Sequence, residues 1–313
     1  MKMNRREFLA RSLAGVGGIL VGPRLTAAPA EKAKMFDPYE LVPLGKTGVK
    51  VTRVGFGTGM SGGGRQSNQT RMGKEKFEAL LKAAFERGVR LFDMADLYGT
   101  HPYLASALRK IPRKEYAIST KIWWRRGGIP ENERPDADVV VQRFLKELKS
   151  DYIDVILLHC VSSADWPGKL PKQMEILAKL KKKGVVRAHG VSCHSLDALE
   201  AAANEPWVDS VHARINAYGT KMDGPPEKVA PVLKKLHQAG KGVVGMKLIG
   251  EGEFRHSDEK RDNSVRYVLS LGCVDTMVVG FENAWEIDDF AARVRKVPVG
   301  IRVTDLRATA LVG

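Results

Sequence analysis

The chain has 313 residues, 43% hydrophobic and 28% charged, with 51 Lys and Arg against 36 Asp and Glu, a formal net charge of +15. An apolar fraction of that size, spread along the whole length, excludes a disordered protein. Three cysteines, Cys160, Cys193 and Cys273, odd in number and far apart, exclude a disulfide scaffold, and no CxxC pair exists for a zinc ribbon or thioredoxin-type motif.

Residues 1–30 carry Lys2, Arg5, Arg6, Arg11 and Arg24 against Glu7, a net of +4 that leaves +11 on the other 283 residues. Arg5-Arg6-Glu7-Phe8-Leu9 resembles the twin-arginine (Tat) export signal, a receptor-read address. A weakly apolar stretch from Ser12 to Gly22 and an A-x-A site at Ala28-Pro29-Ala30 follow in the order such signals require. The chain therefore divides into a signal peptide, residues 1–30, a linker, 31–38, and a single domain, 39–313. The expected partner is the Tat machinery, and the expected location is periplasmic or otherwise extracytoplasmic in a bacterium. About a dozen uncharged residues fall short of the ~20 that span a bilayer, so no integral membrane segment is expected in the mature chain. No basic stripe interleaved with aromatics appears. Lys179, Lys181, Lys182 and Lys183 read as the solvated end of a helix closed by Gly184, so nucleic acid is not an expected partner.

From Tyr39 onward short β-branched runs alternate with amphipathic helical patterns. The spacing predicts strands at Arg53–Phe56, Leu91–Asp93, Tyr116–Thr120, Asp154–His159, Ala188–Ser192, Ser210–Arg214, Gly242–Met246 and Thr276–Val279. Between them lie helical patterns at Lys74–Arg87, Val139–Leu148, Pro171–Lys182, Ser195–Ala202, Ala230–Gln238 and Ala284–Val294. In the first of these Phe77, Leu80, Leu81, Ala84 and Phe85 recur at i, i+3 and i+4. Eight strands with helices between them imply a parallel sheet, and its economical closed form is a (β/α)8 TIM barrel. A doubly wound open sheet is the alternative, but no GxGxxG follows the first strand. Residues 40–51 read as an N-terminal β-hairpin turning at Gly45-Lys46-Thr47-Gly48, placed to close the barrel floor.

Barrel active sites lie at the C-terminal strand ends. There stand Asp93 and Tyr98 after the second strand, Lys121 after the third and His159 after the fourth. Together they form a working set for carbonyl reduction. A Lys ammonium lowers the pKa of a nearby phenol, an Asp holds that Lys, and a His donates to the substrate oxygen. Tyr98 then acts as general acid. No side chain supplies a hydride, so a nicotinamide cofactor is implied. Taken singly each has a structural reading: Asp93 a helix cap, Lys121 a peripheral charge, Tyr98 a packed aromatic, His159 a satisfied barrel histidine.

These segments resemble the aldo-keto reductase family from Tyr39 to roughly Val294, through its F-D-x-A-x-x-Y, T-K-x-W and D-x-x-x-x-H patterns. The resemblance implies that Asp93, Tyr98, Lys121 and His159 are the catalytic tetrad and that Trp123 is a substrate-pocket residue, with Trp124 and Trp166 beside it. It places the backbone of Gly57 and Thr58 near the cofactor, in a segment running from Gly55 to Gly59. Asp93, Leu248 and Gly280 fall in its cofactor-contacting segments. The family's G-V-S-N is Gly190-Val191-Ser192-Cys193 here, so Ser192 and Cys193 take the nicotinamide-carboxamide positions. His212 stands where the family has an assisting Gln, Met246 at its stacking aromatic, and Lys247 at the next position, within reach of the pyrophosphate. The Arg that pairs the 2′-phosphate of NADP is Glu286, and the closing Asn is Phe290. A carboxylate repels phosphate but accepts from a ribose 2′-hydroxyl, so NADP or NAD remains open. The other reading is that Glu286 faces solvent and a nearby Lys or Arg takes over.

Cys160 and Cys193 follow adjacent strand ends, but alternation points Cys160 away from His159 and favours two ordinary buried thiols. His194 beside Cys193 invites a metal, yet nothing completes four ligands, and no metal is expected. Ser61-Gly62-Gly63-Gly64-Arg65 is a flexible loop at the mouth, either lid or spacer. The expected function is NAD(P)H-dependent interconversion of a small carbonyl (aldehyde, ketone or sugar) and its alcohol. The alternative is a non-catalytic nicotinamide-sensing subunit on the same fold. Metal-dependent sugar isomerisation lacks its carboxylate cluster.

Overall fold

The computed structural model describes residues 33–309, so the expected export signal lies outside the described residues. The first described strands, β1 (Leu41–Pro43) and β2 (Lys50–Thr52), pair antiparallel with Val42 opposite Val51. Eight further strands follow: β3 (Val54–Gly57), β4 (Leu91–Asp93), β5 (Ala117–Ile122), β6 (Ile153–Val161), β7 (Val186–Cys193), β8 (Ser210–Arg214), β9 (Gly242–Met246) and β10 (Thr276–Gly280). They are parallel and close on themselves, with β10 pairing both β3 and β9. This is the expected (β/α)8 barrel with its hairpin. Predicted and observed strands agree within two residues at either end, β6 running on from His159 to Val161.

The helices Lys74–Glu86, Ala137–Leu148, Pro171–Lys182, Leu196–Asn204, Pro226–Gln238 and Ala284–Val294 occupy the predicted places. The fifth begins four residues earlier than expected, at a Pro whose fixed φ suits the first helical position. Among the helices not foreseen are His101–Ala107 and Asp258–Ser270. The first is short and carries Pro102 in its opening turn. The second opens on a charged run, so its apolar spacing starts only at Val265. Its cap is legible, since Ser257 accepts from the Lys260 N–H.

Side-chain alternation sorts each strand into an outer face under the helices and an inner face. Leu91, Ala117, Val155, Leu157, Ala188, Val244 and Val278 point inward and pack with Leu44, Val49 and Val51 of the hairpin. The hairpin thus stoppers the amino-terminal end. The Gly45 N–H donates to Asp275 Oδ2 and the Lys46 N–H to the Gly240 carbonyl. A Cβ on Gly45, whose φ is +50°, would fall 2.5 Å from the Gly242 nitrogen, so only glycine fits this contact. Two residues beyond the inner apolar positions, at the other end of the strands, alternation places Asp93, His159, Met246 and Gly280.

Candidate active site

Lys121 is 1% exposed, and its ammonium donates to both oxygens of Asp93, at 2.7 and 2.6 Å, and to the Met94 carbonyl at 2.9 Å. The Tyr98 hydroxyl lies 3.3 Å from His159 Nε2, and the Lys121 nitrogen 5.5 Å from the centre of the Tyr98 ring. The structure therefore brings all four tetrad residues together. They line a cavity of about 590 Å³ that also takes in Gly57, Ser192, Met246, Lys247, Leu248, Gly280 and Glu286. A volume of this order suits a medium-sized organic ligand.

Several expected residues are placed differently. Thr58 is fully buried, its hydroxyl bonded to the Asp93 carbonyl and to Thr100, so it ties β3 to β4. Cys193 lies in the outer core, because alternation from the inward Ser192 turns it under the helices, and His194 lines the cavity instead. His212 does not line the cavity; it is 1% exposed, with Nε2 2.9 Å from Asp93 Oδ1. Trp166 is fully buried against Trp207 and donates to the Ala198 carbonyl, so it lines no pocket. Trp123 and Trp124 lie outside the cavity lining but flank His159. The Trp123 ring centre is 5.4 Å from that of His159, and the Trp124 indole N–H donates to the His159 carbonyl at 2.7 Å.

The mouth loop is tied down at its end. The Arg65 N–H bonds the Leu97 carbonyl, and its guanidinium pairs with the buried Asp96 and with Glu133. Gly59 and Gly62 press on the Tyr98 ring. The Gly-rich run was visible in the sequence, but its target was not.

The electrostatics alter one expectation. Burial raises the Tyr98 pKa well above its usual value, and the Asp93 charge raises it further. Lys121 gives the phenol no hydrogen bond, because its three donors are spent on Asp93 and Met94. Burial pushes the Asp93 carboxyl up, but the Lys121 ammonium and then His212 outweigh this and hold it well below the usual range. Burial, aided by Lys121, keeps His159 neutral. At neutral pH the site thus holds a protonated phenol and an uncharged imidazole.

Cys160 takes φ +60°, where β6 slips register against β7 between Leu158 and Val161. Its N–H donates to Ser192 Oγ at 2.9 Å, and its sulfur lies 3.4 Å from His194 Nε2. It is half-buried rather than an ordinary core thiol, and burial pushes its pKa up to about 11. Among the described residues no cluster of three His, Cys, Asp or Glu could hold a metal.

At the other end of the cavity Glu286 is fully engaged. One oxygen accepts from the Arg255 guanidinium at 2.8 Å and the other from the Glu282 N–H at 2.7 Å. Arg255 also pairs with Glu282. Lys247 is paired with Glu251 at 2.7 Å. The lining thus runs from a proton donor to an ion-paired cluster beside Trp285 and Phe290. A dinucleotide fits such an arrangement: a polar reacting end, an intervening stretch at Met246–Leu248 and Gly280, and charged groups at the far end.

The structure is thus a (β/α)8 barrel with a buried Lys–Asp pair, a Tyr and a His gathered at the carboxyl ends of its strands. The Aldo/keto reductase family profile matches residues 53–268. The chain belongs to that family. It is 28% identical over 221 residues to the Glycine max protein named "Probable aldo-keto reductase 1", covering 68% of this chain and 60% of that one. It is 26% identical over 202 residues to the NADH-specific methylglyoxal reductase of Escherichia coli (strain K12), covering 58% and 60%. The match thus spans about 60% of the length of these curated relatives. An aldo-keto reductase of Bacillus halodurans in its holo form superposes with a TM-score of 0.66 at 20% identity, covering 83% of this chain and 92% of that one, which supports the fold. Among the described residues no helix is long and apolar enough to cross a membrane.

Proposed function

We propose that the protein reduces a small carbonyl compound to its alcohol with NADH or NADPH. The observation that carries this reading is the Tyr98 hydroxyl, 3.3 Å from His159 Nε2 and lining the cavity beside the Lys121–Asp93 pair. The raised phenol pKa keeps Tyr98 protonated at neutral pH, the form that can act as general acid. Tyr98 delivers its proton to the carbonyl oxygen, and His159 donates a second hydrogen bond to that oxygen as charge develops. Asp93 fixes Lys121, whose ammonium lies under the Tyr98 ring and stabilises the phenolate once the proton has left. Trp123 packs its ring against that of His159 from outside the cavity lining. Bound nicotinamide supplies the hydride. Ser192 and Met246 would hold its ring end, Gly280 and Leu248 its middle, and Arg255 and Glu286 its adenosine end.

NAD is the favoured cofactor, because Glu286 and Glu282 present carboxylates where a 2′-phosphate would sit and occupy Arg255, the nearest cation of that cluster. Kd values for NADH and NADPH test this; NADPH binding a hundredfold tighter would overturn it. The activity is tested by turnover of an aldehyde and ketone panel, with Tyr98→Phe as control. Equal rates in both proteins would instead favour a nicotinamide-sensing subunit. We further propose that residues 1–30 direct the folded chain through the Tat machinery to the periplasm. Replacing Arg5 and Arg6 by Lys should hold the protein in the cytoplasm on cell fractionation; unchanged export would refute the signal.

A further inference from the structure

In the ring of strands β8 stands opposite β4, four places round in either direction. His212 on β8 reaches across the barrel axis to Asp93 on β4, with Nε2 2.9 Å from Oδ1. The groups that face it are Asp93 from β4, Ser119 and Lys121 from β5, and His159 from β6. Asp93 is ionised and can only accept, so Nε2 must carry the hydrogen. Burial keeps the ring neutral, which leaves Nδ1 bare, and that atom has no partner in the described structure. The tautomer is thus fixed by the geometry.

Asp93 Oδ1 consequently accepts from Lys121 on one side and His212 on the other, while Oδ2 accepts from Lys121 alone. Two donors from different strands, β5 and β8, thus hold the carboxylate. Asp93 is also the charge that acts most strongly on Tyr98. We propose that His212 is a positioning residue of the proton-transfer centre, acting through Asp93 and Lys121 on Tyr98, and not a ligand of the nicotinamide carboxamide. This rests on the reductase reading of the same site. It reassigns the position at which the sequence suggests a cofactor contact.

Three variants separate the two roles. In H212Q the amide nitrogen takes the place of Nε2 and keeps the donor to Asp93; H212N and H212L lack a donor at that reach. With 4-nitrobenzaldehyde as substrate, kcat should fall by about tenfold or more in H212L and H212N and stay within about threefold of wild type in H212Q, the scale of a hydrogen bond to a charged group. NADH and NADPH Kd, read by fluorescence titration, should stay within about twofold in all three. Weakened cofactor binding with kcat retained would overturn the proposal and make His212 a cofactor ligand. Equal kcat losses in H212Q and H212N would overturn it too. If H212L does not fold, the Gln–Asn comparison carries the test.

A second measurement does not depend on turnover. In 15N NMR of the histidine rings, His212 should remain the neutral Nε2–H tautomer between pH 6 and 8. A ring protonated at Nδ1 overturns the proposal. A wild-type protein that turns over no carbonyl, yet shows this tautomer, would instead overturn the reductase reading.

Discussion

Gly59 lies directly against the ring of Tyr98: a Cβ on it would fall 2.3 Å from Cε2 and Cζ. Gly62 approaches the same ring from the mouth loop, where a Cβ would fall 2.5 Å from Cδ1. Backbone on both sides sets the Tyr98 hydroxyl on His159. Gly59→Ala should push the ring off this position. The expected result is a kcat loss of about tenfold or more with a Tm within a few degrees of wild type, since the displaced ring borders a cavity rather than the core. Steady-state kinetics beside thermal melts check it, and unchanged kcat would refute the clamp.

Tyr98→Phe removes the proton donor and keeps the ring. Reduction should fall by a factor of about 10²–10⁴, the usual contribution of a positioned general acid, while cofactor binding persists. Single-turnover rates and fluorescence titration read the two separately.

Lys121 and Asp93 are buried together, with side chains 2% and 8% exposed. Lys121→Met leaves the buried Asp93 carboxylate without its cation, with only the His212 donor, and should cost about 3–5 kcal/mol of stability. The pH dependence follows from lowered pKa values on both residue types. His159, His194 and His212 are held neutral, so stability is complete above roughly pH 6.5 and declines as the unfolded chain gains protons below it. Asp93 adds a second loss below about pH 4, where its unfolded carboxyl protonates. Denaturant unfolding between pH 8 and 3 should show this two-stage fall; a stability flat from pH 7 to 4 would contradict it.

Glu286→Arg should place a guanidinium at the outer end of the cavity and raise NADPH affinity relative to NADH by about tenfold, the scale of one charge-assisted contact. Unaltered preference would mean that the Arg255–Glu282 pair, rather than Glu286, sets selectivity.

The three thiols give a chemical check on packing. Cys193 and Cys273 are buried, and the Cys160 pKa stands at about 11. At pH 8 the native protein should react slowly with a thiol reagent such as DTNB, and the unfolded protein should titrate all three. A fast-reacting native thiol would place Cys160 in a thiolate-stabilising environment instead.

The barrel was legible because alternation and helix spacing agree along most of the chain. Leu91–Asp93 and Pro171–Lys182 come out with their observed bounds. The helix Asp258–Ser270 escaped because its first two turns are charged. Of those charges Asp258 and Asp262 pair with Arg293 of the neighbouring helix, a partnership that no local window contains. The tetrad was legible by spacing. The use of His212 was not, because its partner Asp93 is 119 positions away in sequence and across the barrel in space. Cys160 departs from plain alternation because β6 slips register there, a backbone event that no side-chain pattern announces.

The hairpin that packs Leu44, Val49 and Val51 into the barrel makes it a cup rather than a tube. Whatever reaches Tyr98 must leave by the opening through which it came. The stopper at one end thereby confines access to the other, where none of its own residues is present.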